Sequence, residues 1–89
     1  MIQQAITISN KLGLHARASA KLTKLAGSFP CEVWVSRGSR RVNAKSIMGV
    51  MMLAAGIGTE ITLETSGERE QEAMQALVDL INDKFGEGE

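Results

Sequence analysis

His15 is the only histidine in this 89-residue chain, and it stands in the run Gly13-Leu14-His15-Ala16-Arg17-Ala18-Ser19. An imidazole titrates near neutrality, and its unprotonated nitrogen is a nucleophile. Arg17, two residues on, brings a forked cationic donor that matches phosphate oxygens. The run lies where an alternating apolar pattern gives way to a helical one, which puts His15 at the N-cap or first turn of a helix. Backbone N–H groups there lack partners within the helix, and the positive end of the helix dipole points outward. Such an end holds an anion. Together these residues could accept a phosphoryl group and keep it. The same His15 could also serve only as a polar cap or a surface residue.

The elements that must position this run can be read in order. In residues 2–9, Ile2, Gln4, Ile6 and Ile8 alternate with Gln3, Ala5, Thr7 and Ser9, the two-residue period of a strand. Residues 10–13 make a loop in which Gly13 can take a backbone angle that other residues resist. Residues 16–26 read as a helix with Ala18, Leu22, Leu25 and Ala26 as its buried stripe. Gly27 is expected at the C′ position, Pro30 blocks continuation, and Phe29 packs beneath the end. Cys31, Val33 and Val35 alternate with Glu32, Trp34 and Ser36 in a second strand, which turns Trp34 to the open side of the sheet. Residues 37–40 form a hairpin connection into a third strand over 41–44.

A second helix is expected over residues 45–53 with Ser46 as N-cap. It is apolar nearly all round, so some of Ile47, Met48, Met51 and Met52 should reach solvent as a partner surface, with core packing as the alternative. Residues 54–58 are a flexible connection, and 60–65 alternate as a fourth strand. Ser66-Gly67 opens the last helix, where Glu68, Glu70 and Glu72 complement the positive end. Its buried stripe is Met74, Leu77, Val78, Ile81 and Phe85, Gly86 terminates it, and residues 87–89 are expected to fray. The order β-α-β-β-α-β-α in so short a chain implies an α+β fold with the helices covering one face of an antiparallel sheet.

Composition narrows the function classes. The length suits one domain, residues 1–89, with one modest core. No apolar run is long enough to cross a bilayer, and the basic-then-apolar pattern of a secretory signal is absent, so a cytoplasmic location without membrane insertion is expected. Cys31 is the single cysteine, which excludes an internal disulfide, and with one histidine far from it no metal site is expected. Residues 1–50 hold eight basic residues against Glu32 alone, a net of +7; residues 51–89 hold Arg69 and Lys84 against nine carboxylates, a net of −7. If the fold keeps these halves apart, His15 sits in a positive field that favours acidic partners and bound phosphate. The basic half also admits a nucleic-acid binder of ferredoxin-like layout. That reading lacks stacking aromatics, since the chain has no Tyr, two Phe and one Trp.

Three stretches carry a resemblance: Gly13-Leu14-His15-Ala16-Arg17, Val42-Asn43-Ala44-Lys45-Ser46-Ile47-Met48-Gly49 and Gly58-Thr59-Glu60-Ile61-Thr62-Leu63. With them the chain resembles, over essentially its whole length, the histidine-containing phosphocarriers of the bacterial phosphoenolpyruvate-dependent phosphotransferase system, HPr and its nitrogen-related paralogue NPr. The resemblance implies an open-faced β-sandwich, a four-stranded antiparallel sheet with three helices on one face. It implies that His15 takes a phosphoryl group on Nδ1 from enzyme I, or from its nitrogen-branch counterpart, and passes it to a IIA protein or domain. Arg17 would clamp the phosphoryl oxygens, with the backbone N–H groups of Ala16, Arg17 and Ala18 as nearby donors. Ser46 resembles the regulatory serine phosphorylated by HPr kinase/phosphorylase in organisms that have it. The family's docking patch falls here on Ile47, Met48 and Met51, ringed by Arg17, Lys24 and Lys45. No cofactor and no nucleic-acid partner are expected, and the chain is expected to act as a monomer. One departure is Ala18, where many members have proline; alanine restores an N–H in the first turn and relaxes the backbone beside Arg17.

Overall fold

The computed structural model describes residues 1–87. Four strands form one antiparallel sheet: β1 (Ile2–Thr7), β2 (Glu32–Arg37), β3 (Arg40–Asn43) and β4 (Glu60–Ser66), in the spatial order β1-β4-β2-β3. Three helices, α1 (Ala16–Gly27), α2 (Ile47–Met51) and α3 (Glu70–Asn82), cover one face, giving the expected β-α-β-β-α-β-α order. The register pairs Ile6 with Ile61, Val35 with Leu63 and Val33 with Thr65, so one face of the central strands is continuous. Ile6, Val33, Val35, Ile61 and Leu63 point from that face into a core closed by Leu22 of α1, Val50 of α2, and Leu77 and Ile81 of α3. Burying side chains of this size contributes about 1.5–3 kcal/mol each, which is what holds α1 against the sheet.

On the bare face, Trp34 is half-buried with the Arg41 guanidinium 4.1 Å from its ring centre. Arg41 also donates to both carboxylate oxygens of Glu64, at 3.2 and 3.0 Å. These hydrogen bonds, offset in part by burial, hold the Glu64 carboxyl below the usual range. The Trp34 and Glu64 side chains on the open side of the sheet are thereby covered by Arg41, while Gln3, Ala5 and Thr7 of β1 stay exposed.

Several element ends differ from the sequence reading, each for a local reason. Gly27 is the last helical residue of α1 rather than a left-handed C′ residue, because Ser28 caps the end: its hydroxyl and its N–H both donate to the Leu25 carbonyl, at 2.6 and 3.1 Å. Lys45 lies ahead of α2, not in it, with its N–H on the Asn43 side-chain oxygen. The far end of α2 stops at Met51, where the guanidinium groups of Arg37 and Arg40 take up the carbonyls of Met52, Leu53 and Ala54. Ser66 belongs to β4, and α3 opens at Glu70 after Gly67 and Arg69 adopt positive φ; Glu68 is in that turn. Finally, α3 ends at Asn82, and Phe85 is buried from a separate turn over Lys84–Gly86. Glu87, expected to fray, is held against His15; residues 88 and 89 lie outside the described residues.

Candidate functional site

The loop into α1 is braced from three sides. Gly13 has φ +66° and passes so close to the segment after α2 that an added Cβ would lie 2.4 Å from the Ala55 carbonyl oxygen. Leu14 donates its N–H to that same oxygen at 2.9 Å, and its side chain is buried. Asn10, wholly buried, donates from Nδ2 to the Gly13 carbonyl at 2.8 Å, while the Ser19 hydroxyl donates to the Leu14 carbonyl at 3.0 Å. Held this way, His15 enters α1 as its N-cap in extended backbone (φ −73°, ψ 179°) and makes no side-chain cap bond.

The consequence is an open helix end. Ser19 N–H is bonded back to the His15 carbonyl at 2.8 Å, so the N–H groups of Ala16, Arg17 and Ala18 lie ahead of that bond with no helical partner. The His15 side chain is 26% exposed and faces a cavity of about 620 Å³ lined by Lys11, Leu12, His15, Ala16, Arg17, Gly86 and Glu87. Arg17 is exposed and, among the described residues, forms no ion pair. A nucleophilic ring, a forked cation and free backbone donors therefore converge on one open cleft. That set can stabilise a phosphoryl group moving between two nitrogens without enclosing it.

Glu87 brings a carboxylate to the same site. Its Oε2 lies 2.5 Å from His15 Nε2, and its Oε1 accepts from Asn10 Nδ2 at 3.0 Å. Burial pushes this carboxyl up. The hydrogen bonds from Asn10 and His15, with the charges of His15 and Lys21, outweigh that and leave it below the ordinary glutamate range. The expected division of charge is corrected here: the acidic half of the chain reaches into the basic site. Glu87, Asn10 and Ser19 were not singled out by the sequence. Asn10, three residues before Gly13, carried a turn signal. The partnership of Glu87 spans 72 positions and has no local signature.

The other expected residues lie away from the cleft. Ser46 is exposed at the N-cap of α2, where its hydroxyl accepts the Gly49 N–H at 3.2 Å. Lys45 reaches from Nζ to the Phe29 carbonyl at 2.9 Å. Ile47, Met48 and Met51 are exposed on α2, Met48 to 66%, joined by Met52 at 59%. Lys24 is exposed on α1 and borders a shallow cavity with Lys21, Leu25, Ser28 and Leu80. None of Lys24, Lys45, Ser46, Ile47, Met48 and Met51 lines the His15 cleft. Leu12, which lines the His15 cleft, and Ile57 are exposed apolar residues that the sequence did not pick out. Among the described residues no group of three or more His, Cys, Asp or Glu could hold a metal, and no helix is long and apolar enough to cross a membrane.

Comparison with known proteins agrees with this geometry. The family described as "PTS HPr component phosphorylation site" matches residues 2–83. The phosphocarrier protein HPr of Cupriavidus necator is 68% identical over 89 residues, covering all of both chains. HPr of Neisseria meningitidis is 64% identical over the same full length. Among solved structures, HPr-C-His from Thermoanaerobacter tengcongensis superposes with a TM-score of 0.95 at 47% identity, covering 98% of each chain. This chain belongs to the HPr family, the phosphotransferase-system phosphocarriers that pass a phosphoryl group from enzyme I to IIA proteins and are not themselves enzymes.

Proposed function

We propose that His15 is the residue that carries the phosphoryl group, bonded through Nδ1, and that the chain acts in the cytoplasm as one monomeric domain over residues 1–89. The observation that carries this reading is the uncapped start of α1, which leaves backbone donors beside His15 and Arg17 in one open cleft. The Nδ1 lone pair attacks phosphorus as the bond to the donor imidazole of enzyme I breaks, and the same step with a IIA acceptor runs it onward. Arg17 and the N–H groups of Ala16, Arg17 and Ala18 stabilise the phosphoryl oxygens, most strongly when negative charge is spread over them in transit. Exposure of the ring keeps the group transferable.

The apolar surface on Ile47, Met48 and Met51, with Arg17, Lys24 and Lys45 around it, is the face on which enzyme I and IIA dock; its exposed methionines support this. Ser46 is the regulatory site, open to an HPr kinase/phosphorylase where one is present. Phosphate there adds negative charge beside the basic docking residues and weakens association with enzyme I.

The test is a phosphotransfer assay with phosphoenolpyruvate, enzyme I and the purified protein, followed by intact mass and acid treatment. The expected result is an added phosphoryl mass that is acid-labile and absent in His15→Ala. Met48→Glu should keep the fold and accept phosphate more slowly. Equal labelling of His15→Ala would overturn the assignment of the carrier, and unchanged kinetics for Met48→Glu would remove the docking surface from it.

A further inference from the structure

Glu87 lies beyond residues 2–83, the span that the family match covers, yet it is the group in closest contact with His15. From this placement we infer that Glu87 is a positioning residue for phosphoryl transfer: it fixes His15 through Nε2–H, leaves the Nδ1 lone pair outward, and stabilises the positive charge that forms on the ring. The inference rests on His15 being the carrier, and it adds a residue to that site.

The chemistry follows from which nitrogen is held. A carboxylate only accepts, so the His15 nitrogen it touches carries the hydrogen; in a neutral ring the other nitrogen then holds the lone pair. Among the described residues, no hydrogen bond engages Nδ1. When Nδ1 attacks phosphorus, one N–P bond forms and the N–P bond of the donor breaks, its electron pair returning to the donor nitrogen. The proton on Nε2 stays where it is, so His15 becomes an N-phosphorylated imidazolium. That cation forms directly beside the Glu87 carboxylate. A carboxylate that orients a catalytic imidazole and stabilises its charged form is the arrangement of the hydrolase triad. Groups that fix a histidine through its second nitrogen likewise set tautomer and basicity at metal sites.

The backbone is built to deliver this contact. Lys84, Phe85 and Gly86 all take left-handed φ, at 53°, 55° and 75°, a conformation that two non-glycine residues keep only when the surroundings impose it. Phe85 is fully buried, and Lys21 donates from Nζ to its carbonyl at 2.5 Å. The chain is thereby reversed over α1, and Asn10 takes the second carboxylate oxygen. Glu87 is thus placed by the left-handed turn before it and held through both carboxylate oxygens, by Asn10 and His15.

The experiment compares the full-length parent with Glu87→Gln, Glu87→Ala and His15→Ala. It measures phosphoryl acceptance from enzyme I and the nitrogen and proton resonances of the His15 ring. Glu87→Gln keeps an acceptor oxygen without the charge, whereas Glu87→Ala removes both. The expected order of rate is parent, then Gln, then Ala, with Ala slower by about tenfold, the scale of losing one charge-assisted hydrogen bond at a partly exposed site. The Nε2–H resonance should be sharp and protected from exchange in the parent and Gln proteins, and lost in Ala. A Glu87→Ala protein that accepts phosphate at or above the parent rate overturns the inference, since the carboxylate would then be idle or repulsive. If the parent is not labelled, or His15→Ala labels equally, the carrier assignment fails instead. A dead His15→Ala beside an unimpaired Glu87→Ala removes Glu87 alone.

Discussion

Two helices in this protein begin at residues proposed above to take phosphate, and they begin in opposite ways. α2 starts at Ser46, whose own hydroxyl accepts the Gly49 N–H at 3.2 Å. α1 starts at His15, which offers its helix no side-chain acceptor. A capping side chain is worth about 1 kcal/mol, so α1 forgoes stability that α2 keeps. What α1 gains is a set of unused donors facing a nucleophile. The difference also tracks length: α1 has 12 residues and a developed dipole, while α2 has 5. At one end the backbone donors stay open, at the other one of them is taken by the cap.

An uncapped end must be held from outside, and Gly13 is the most exacting part of that support. Gly13→Ala would force a side chain into left-handed backbone and place Cβ 2.4 Å from the Ala55 oxygen and 2.6 Å from Gly56 Cα, both backbone atoms. The expected cost is about 3 kcal/mol, from strain and a clash that no rotamer relieves. The matching change at α2 is Gly49→Ala, where Cβ would sit 3.3 Å from the Val42 Cβ and 3.4 Å from the Ser46 hydroxyl oxygen. Crowding there is offset by the better helix propensity of alanine, so the net change should stay within about 1 kcal/mol. Urea unfolding of the two proteins makes the comparison. Equal losses would mean that both helix starts are braced alike.

How much of this was legible in the sequence depends on the range of the interaction. Period-two runs such as Val33-Trp34-Val35 found the strands, because alternation reflects one buried face. His15 and Ser46 were found because helix starts have local signals, and the observed bounds of α1 differ from the reading by one residue at Gly27. The misplacement was greater at α3. Its start lies at Glu70 rather than Ser66-Gly67 because the Thr65 hydroxyl donates to the Glu70 carbonyl and the Gly67 N–H to its carboxylate, short-range bonds that hold a turn where the acidic run alone reads as helix. Its end was misread for a similar reason: Phe85 keeps the spacing of a helical stripe yet is buried from a left-handed turn. Glu87 was beyond reach, since nothing near it in sequence says that it returns to His15.

The capped end predicts a smaller effect of its own. Ser46→Ala removes the acceptor for Gly49 N–H at an exposed position and should lower stability by about 1 kcal/mol while leaving phosphoryl acceptance at His15 unchanged. Ser46→Asp should restore the cap, because its carboxylate can accept the same N–H, and should reduce affinity for enzyme I. A loss of acceptance in Ser46→Ala as large as that in His15→Ala would erase the distinction between the two ends. No change in enzyme I affinity for Ser46→Asp would remove the regulatory role while leaving the cap in place.

The smallest expected effect is a change in acid sensitivity at the uncapped end. Glu87 has its folded-state pKa lowered, with burial opposing the shift and the bonds to Asn10 and His15 driving it. Below the unfolded glutamate value the unfolded chain therefore takes up a proton before the folded one does. Its contribution is present above that value and is lost as pH falls through the lowered folded one. Glu70 at the start of α3 is shifted the same way by the Gly67 N–H and the chain's amino terminus, so the parent retains an acid slope from elsewhere. Glu87→Gln should flatten only part of the fall in stability between about pH 5 and about pH 3. Ser46→Ala, which removes no titrating group, should shift the whole curve without altering its slope. Parallel curves for the parent and Glu87→Gln would mean that the carboxylate is as free in the folded protein as in the unfolded chain, and the open end of α1 would then be held by Gly13, Leu14, Asn10 and Ser19 without it.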